Sequence, residues 1–177
     1  LCDTHCGIRN SSEVFLDNAE DFYTNIFFPE CEKRGIKQIL HLGDYYDHRK
    51  FVNFKALNQN RRVFLDQLRK HGMVMDIIPG NHDTYYKNTN ELNALKECLG
   101  HYMNEVHIIM EPTVMQYGSL SMALLPWICA DNYEPSMSFI KDCKADWLGA
   151  HLELANFEIG RGILAPHGMD AKIFKKF

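Results

Sequence analysis

Gly80-Asn81-His82-Asp83 follows directly on the run Met73 to Pro79. A strand that ends this way delivers three polar side chains onto one short loop. Asn81 offers a neutral oxygen to a hard cation. His82 can give or take a proton near neutral pH. Asp83 can orient that imidazole or stabilise the loop backbone. Asn, Asp and Gly are also ordinary turn residues, so the chemical reading draws on two further loops. Asp3-Thr4-His5 lies near the start, and Gly43-Asp44-Tyr45-Tyr46-Asp47 follows another apolar run.

Such a set is mixed nitrogen and oxygen, with no sulfur. It suits manganese, iron or zinc and disfavours a pure calcium or magnesium cage. Asp44 has two oxygens and could bridge two metals. Cations about 3.5–4 Å apart activate a water and clamp the phosphate it attacks. That chemistry is hydrolysis of a phosphoester.

The elements must bring these distant groups together. Leu1-Cys2 reads as a strand end. Ser11-Ser12 could cap a helix with Glu13 in its first turn, ending near Gly35. Val14, Phe15, Phe22, Tyr23, Ile26 and Phe27 recur along it at helical spacing. Ile36 to Leu42 reads as a buried strand. Asn53 to His71 reads as a helix, with Phe54, Leu57, Phe64, Leu65 and Leu68 on its apolar side and Gly72 as its stop. Met73 to Ile78 is the next strand, and Asn90 to Leu99 a helix closed by Gly100. Val106 to Met110, Val114 to Tyr117 and Ser119 to Trp127 read as strands, the last two joined by a hairpin around Gly118-Ser119. Ser136 to Cys143 reads as helix, Trp147 to Leu152 as a strand carrying His151, Phe157 to Gly168 as loop, and Asp170 to Phe177 as a short helix. In an α/β sheet the loops beyond the carboxyl ends of the strands share one edge, where ligands bind.

With 177 residues, 46% of them hydrophobic and 24% charged, the chain fits one soluble globular domain with a substantial core. No apolar run approaches the roughly 20 residues that span a bilayer. None of the six cysteines forms a Cys-x-x-Cys pair, which argues against a zinc knuckle, and most lie in apolar or helical contexts, which argues for buried, reduced thiols in a cytoplasmic compartment. The net charge of −4 argues mildly against a basic DNA-binding module. Two bound divalent cations would bring it to zero.

Taken together, Asp3-Thr4-His5, Gly43-Asp44-Tyr45-Tyr46-Asp47 and Gly80-Asn81-His82-Asp83 resemble the Asp-x-His, Gly-Asp-x-x-Asp and Gly-Asn-His-Asp motifs of the calcineurin-like metallophosphoesterase superfamily. Within it the chain is most similar to SbcD-type double-strand-break-repair nucleases, above all phage recombination-endonuclease subunits. The segments Asp44 to Lys50, Gly80 to Asn88, Leu125-Pro126-Trp127 and Gly149 to Leu154 carry that similarity. The resemblance implies an α/β fold, a layered α/β/β/α sandwich of two mixed sheets flanked by helices. The first three motifs would come from one sheet and His151 from the other. It implies two divalent metal ions, manganese first. Asp3 and His5 would hold one, Asn81 and His151 the other, with Asp44 between. His82 would contact the scissile phosphate and help the leaving oxygen depart. Asp47 and Asp83 would orient His82.

The family's Gly-His-x-His does not follow His151. Residues 1–177 then read as a nuclease domain lacking its first strand and that segment. Three ligands per metal predict weakened metal binding and little activity for this stretch. Arg49, Lys50, Tyr86 and Lys87 lie beside the motifs and could contact DNA, because Arg and Lys dominate backbone contacts. Solvated charge is the plain alternative for each. The expected function is metal-dependent hydrolysis of DNA phosphodiesters, against a phosphatase or phosphodiesterase acting on a small nucleotide or phosphoprotein. The resemblance further implies a homodimer through the early helices, an SbcC-type ATPase partner, no membrane, and a cytoplasmic setting, that of the host if phage-encoded.

Overall fold

The computed structural model describes residues 1–177, the side chain of Ile159 excepted. Three parallel strands organise the first half: β1 (Gln38–His41), β2 (Val74–Ile77) and β3 (Val106–Ile108), in that spatial order. Gln38 pairs with Val74 and His41 with Ile77, so both chains leave the sheet at the same edge. Leu1 to Asp3 lies outside any strand but continues the ladder. The Leu1 nitrogen donates to the Leu40 carbonyl (2.8 Å), and the Leu1 carbonyl accepts from the Leu42 N–H (2.9 Å).

The first helix runs through three segments, Glu13–Phe22, a π turn Tyr23–Phe27 and Phe28–Lys33, together α1. Pro29 lacks an amide donor, and the looser turn directly before it absorbs the missing bond. Tyr23 of its aromatic stripe, and Phe28 just beyond it, are buried against Phe64. Val14, Phe15, Phe22 and Ile26 stay exposed. The second helix, α2, comprises Phe54–Asn60, a π turn Arg61–Leu65 and Asp66–His71. The Asn53 side chain caps it and Gly72, at φ 58°, ends it. Phe64, Leu65 and Leu68 are buried as expected, whereas Phe54 is 85% exposed because it sits at the first, outward-facing position. Helix α3 is only Ala94–Leu99, capped by Asn93. Gly100 does not close it: the chain continues into a 3-10 turn, Gly100–Tyr102.

The second sheet is mixed. Strands β4 (Thr113–Tyr117) and β5 (Leu120–Leu125) form the expected hairpin, with Gly118 at φ 63°. Helix α4 (Tyr133–Asp142) connects β5 to β6 (Trp147–Ala150), which pairs parallel to β5. His151 therefore lies just past its strand, not within it. The expected loop from Phe157 to Gly168 instead contains a small antiparallel pair, β7 (Glu158–Gly160) and β8 (Ile163–Leu164), turned at Gly162 with φ 73°. A 3-10 turn, Ala171–Phe174, follows.

The chain is thus α/β, with two three-stranded sheets, the first parallel and the second mixed, flanked by helices. The main core lies between α1, α2, α3 and the first sheet, from Tyr23, Phe64 and Leu68 to Met75, Ile77 and Leu95. The sheets meet at Gly149, where a Cβ would stand 3.0 Å from Leu42 and Leu124. They are tied by Asp76, whose carboxylate accepts from Gln38, His107 and the Tyr117 hydroxyl at 2.9–3.0 Å. Among the described residues all six cysteines are free, and no helix is long and apolar enough to cross a membrane.

Candidate metal centre

The strand ends of β1 and β2 carry their loops to one edge because two glycines touch. A Cβ on Gly43 would stand 2.7 Å from the Gly80 nitrogen. One on Gly80 would stand 2.3 Å from the Asp44 nitrogen and Oδ1. Only residues without a side chain allow this approach, and Gly43 also takes φ 94°. The residue after each glycine, Asp44 and Asn81, is thereby set beside the other loop.

The Asp44 side chain is buried and divides its oxygens. Oδ2 lies 3.6 Å from His5 Nε2, and Oδ1 lies 3.5 Å from His151 Nε2. Asp3 Oδ1 is 3.7 Å from the same His5 nitrogen. Asn81 Oδ1 is 3.0 Å from the same His151 nitrogen. Asp3, His5, Asp44, Asn81 and His151 therefore meet at one place, from three loops of the first sheet's edge and one of the second. His82 joins His5 and Asp44 in a cluster whose donor atoms all lie within 4.8 Å.

His151 and His82 are each held by their other ring nitrogen. His151 Nδ1 is 2.9 Å from the Leu42 carbonyl. A carbonyl only accepts, so Nδ1 carries the hydrogen and Nε2 faces Asp44 and Asn81. His82 Nδ1 donates in the same way to the Asp47 carbonyl at 2.6 Å, and its N–H donates to Asp44 Oδ1 at 2.8 Å. His41 lies behind the centre. Its Nδ1 accepts from the Gly43 N–H (3.2 Å) and its Nε2 donates to Thr4 Oγ1 (3.0 Å), which in turn donates to the Tyr45 carbonyl. A buried histidine thus braces both the Asp3–His5 loop and the Asp44 loop.

Asp47 and Asp83 do not touch the His82 ring with their carboxylates. Asp83 is fully buried and accepts from the N–H groups of Tyr45, Tyr46 and Gly80 at 2.9–3.0 Å. Of the two roles open to it, it takes the backbone one. The Asp47 carboxylate lies 3.3 Å from His5 Nδ1 and 3.5 Å from His48 Nε2, and neither contact is aligned as a hydrogen bond. The support for His82 comes from the Asp47 main chain.

Electrostatics follow from burial and these contacts. Burial pushes the Asp44 carboxyl up, but His151 when Nε2 is protonated as well, the His82 N–H and the His82 ring together hold it below its usual range. Burial opposes charge on His151, yet Asp44 and the Leu42 carbonyl raise its pKa. Burial raises Asp83 to about 6 against its three backbone donors. Burial lowers His41 to about 3, so it is neutral.

The donor set fits hard or borderline divalent cations. Carboxylate, amide and imidazole donors converge, and the two oxygens of Asp44 face two separate groups of partners. One neighbour was missed by the sulfur-free reading: Cys2 Sγ groups with Asp3 and His151. Its thiol hydrogen-bonds Asp3, and burial and that bond push it up to about 12.

Asp3, Asp44, Asn81 and His151 line a cleft of about 790 Å³, shared with Arg49, Lys87 and Trp127. Lys50 and Tyr86 lie off it. Lys50 stands over the Tyr85 ring at 5.7 Å in a separate groove, and Tyr86 packs edge-on against Tyr85 at 4.7 Å. Trp127 was legible only as the end of Leu125-Pro126-Trp127.

Fold and site define an α/β chain with a cleft of carboxylate, amide and imidazole groups at the carboxyl edge of its sheets. No protein-family model matches it. It is 31% identical over 177 residues to the exonuclease subunit 1 of Enterobacteria phage T4, a match over 100% of this chain and 51% of that protein. The chain thus spans about half the length of this curated relative.

Proposed function

We propose that this chain is the catalytic region of a two-metal DNA nuclease with a metallophosphoesterase fold of the SbcD type. The observation that carries the reading is the divided Asp44 carboxylate, one oxygen toward His5 and Asp3, the other toward His151 and Asn81. The similarity to an exonuclease subunit, over all of this chain and about half of that protein, supports the choice of reaction.

In this reading Asp3, His5 and Asp44 hold one cation, and Asp44, Asn81 and His151 the other, with manganese as the metal. Bound there, paired cations supply Lewis acidity toward the phosphate and make a water nucleophilic at neutral pH. His82 does the proton work. Its Nδ1–H is fixed on the Asp47 carbonyl, which leaves Nε2 for the substrate. From there it hydrogen-bonds a non-bridging oxygen and, when protonated, gives its proton to the departing sugar oxygen. Asp47 sets the ring orientation through its main chain, and Asp83 clamps the loop that carries it. Arg49 and Lys87 neutralise the incoming backbone from the cleft wall. Lys50 and Tyr86 extend that surface only where the strand continues past the cleft. The exposed Val14, Phe15, Phe22 and Ile26 of α1 serve a homodimer contact, and an SbcC-type ATPase is the expected partner.

The test is hydrolysis of duplex and single-stranded DNA with manganese, beside an aryl phosphodiester. Expected is manganese-dependent nucleotide release, slow because this stretch offers three ligands per metal, that His82→Ala lowers a further hundredfold or more. Cleavage of the aryl ester alone would move the substrate to a small phosphoester. DNA cleavage unchanged in His82→Ala would remove the assigned role.

A further inference from the structure

Four of the seven arginines, Arg9, Arg49, Arg61 and Arg161, have no carboxylate partner among the described residues, and of these Arg49 is the one laid over an aromatic ring. Arg34, Arg62 and Arg69 each pair with a glutamate at 2.6–2.7 Å. Arg49 has no carboxylate partner among the described residues, although Asp3, Asp44 and Glu153 line the same cleft. Its guanidinium lies over the Trp127 ring at 5.3 Å. Only Nη1 meets protein acceptors, the Thr84 carbonyl, Thr84 Oγ1 and the Tyr86 carbonyl, all at 3.3–3.5 Å. The N–H groups of Nε and Nη2 find none among the described residues. A guanidinium stacked on indole and left with free donors is aimed, charged and cheap to desolvate.

Trp127 is equally built in. Its N–H donates to the Pro79 carbonyl at 3.0 Å, one residue before Gly80. Its carbonyl accepts from two side chains, Asn90 Nδ2 (2.8 Å) and Asn132 Nδ2 (3.0 Å). Two asparagines on one carbonyl fix the main chain at Trp127, whose side chain stays half-buried in the cleft wall beside Asn81.

We propose that Arg49 and Trp127 form a clamp for one nucleotide of the bound strand. Arg49 holds oxygens of a phosphate next to the scissile one, and Trp127 lies against the base attached to it. The pairing is indifferent to base identity, since every base has a π face. The proposal rests on the nuclease reading, and adds a base-contacting residue to it.

The chain has two tryptophans, Trp127 and Trp147. Trp147 opens β6, the end of that strand away from His151, and is exposed. Trp147→Phe therefore leaves Trp127 as the only indole. With EDTA present to stop cleavage, a single-stranded oligothymidylate should quench Trp127 emission. The half-saturation point should weaken with salt and weaken further in Arg49→Ala. In steady state, Trp127→Leu should raise KM about tenfold, one base–aromatic contact, with a smaller change in kcat, and Trp127→Phe should restore much of it. Binding is read independently by anisotropy of a labelled oligonucleotide. DNA bound by anisotropy with Trp127 emission unmoved overturns the clamp and leaves the nuclease reading standing. No binding by anisotropy overturns both.

Discussion

Gly43 and Gly80 are in van der Waals contact through their backbones, and that contact is what sets Asp44 beside Asn81. A methyl group at Gly80 would overlap both the Asp44 nitrogen and Oδ1 at 2.3 Å. Backbone and a buried carboxylate cannot swing aside as a flexible side chain can. Gly80→Ala should therefore cost about 3 kcal/mol or more, at the upper end for an overpacked site. It should also separate Asp44 from Asn81. Chemical denaturation gives the first, and loss of manganese binding in whatever folded protein remains gives the second. A variant as stable as the parent would show that the two loops do not meet this closely.

Asp83 joins three N–H groups from both loops through one carboxylate. Asp83→Asn keeps the shape but turns one acceptor into a donor facing donors. Asp83→Ala leaves three buried amides without a partner. Each orphaned group costs about 1–3 kcal/mol, so the Ala variant should be less stable by roughly 3 kcal/mol or more and the Asn variant, with one mismatched group, by about 1–3 kcal/mol. Thermal melts in EDTA measure this apart from any metal effect. If His82 depended on the Asp83 carboxylate, Asp83→Asn would lose activity without losing stability.

The three polar loops were readable because each follows an apolar run and ends in residues with few other uses together. Their supports were not. His82 leans on the Asp47 carbonyl, and a main-chain acceptor has no signature in residue type. Asp76 sits inside a strand that reads as apolar, yet it is buried and ties both sheets through Gln38, His107 and Tyr117. That linkage depends on how one sheet is laid over the other, which no local period encodes. Strand boundaries came out short for a related reason. Leu42 and Ile78 lie just past the paired register, each keeping one main-chain bond, to Leu1 and to His41, so apolar character outlasts pairing. The β7–β8 hairpin was hidden because its exposed Ile163 and Leu164 offer no inward–outward alternation. Phe54 shows the converse: an apolar residue at helical spacing that faces solvent.

His41 makes acid stability a test of the bracing beneath the site. Its pKa in the folded chain is about 3, against 6.5 when unperturbed. The unfolded chain binds a proton that the folded chain refuses. The stability from this residue is full above about pH 6.5 and is lost as pH falls toward 3. Asp83, raised to about 6, contributes in the opposite sense over roughly pH 6 to 4. Comparing the parent with His41→Phe cancels that term. The variant should be less stable at pH 7, having lost the Gly43 and Thr4 bonds, and should lose less stability between pH 7 and 5. Urea midpoints across that range decide it, and parallel curves would mean that His41 is protonated in the folded chain.

Asp44 should decide metal binding without disturbing the fold. Asp44→Asn keeps an oxygen for the His82 N–H but removes the charge and one of the two oxygens that face His5 and His151. Manganese at ten times its dissociation constant stabilises a one-site binder by about 1.4 kcal/mol, a rise in Tm of about 3–6 °C for a chain of this size. The parent should show such a rise, and more if two ions bind. In Asp44→Asn the rise should fall to near zero while the melting point in EDTA moves by only a few degrees. Calcium, which prefers six to eight oxygens, should stabilise the parent less than manganese at equal concentration. An undiminished manganese shift in Asp44→Asn would place the ion elsewhere on the molecule and take the two-metal mechanism with it.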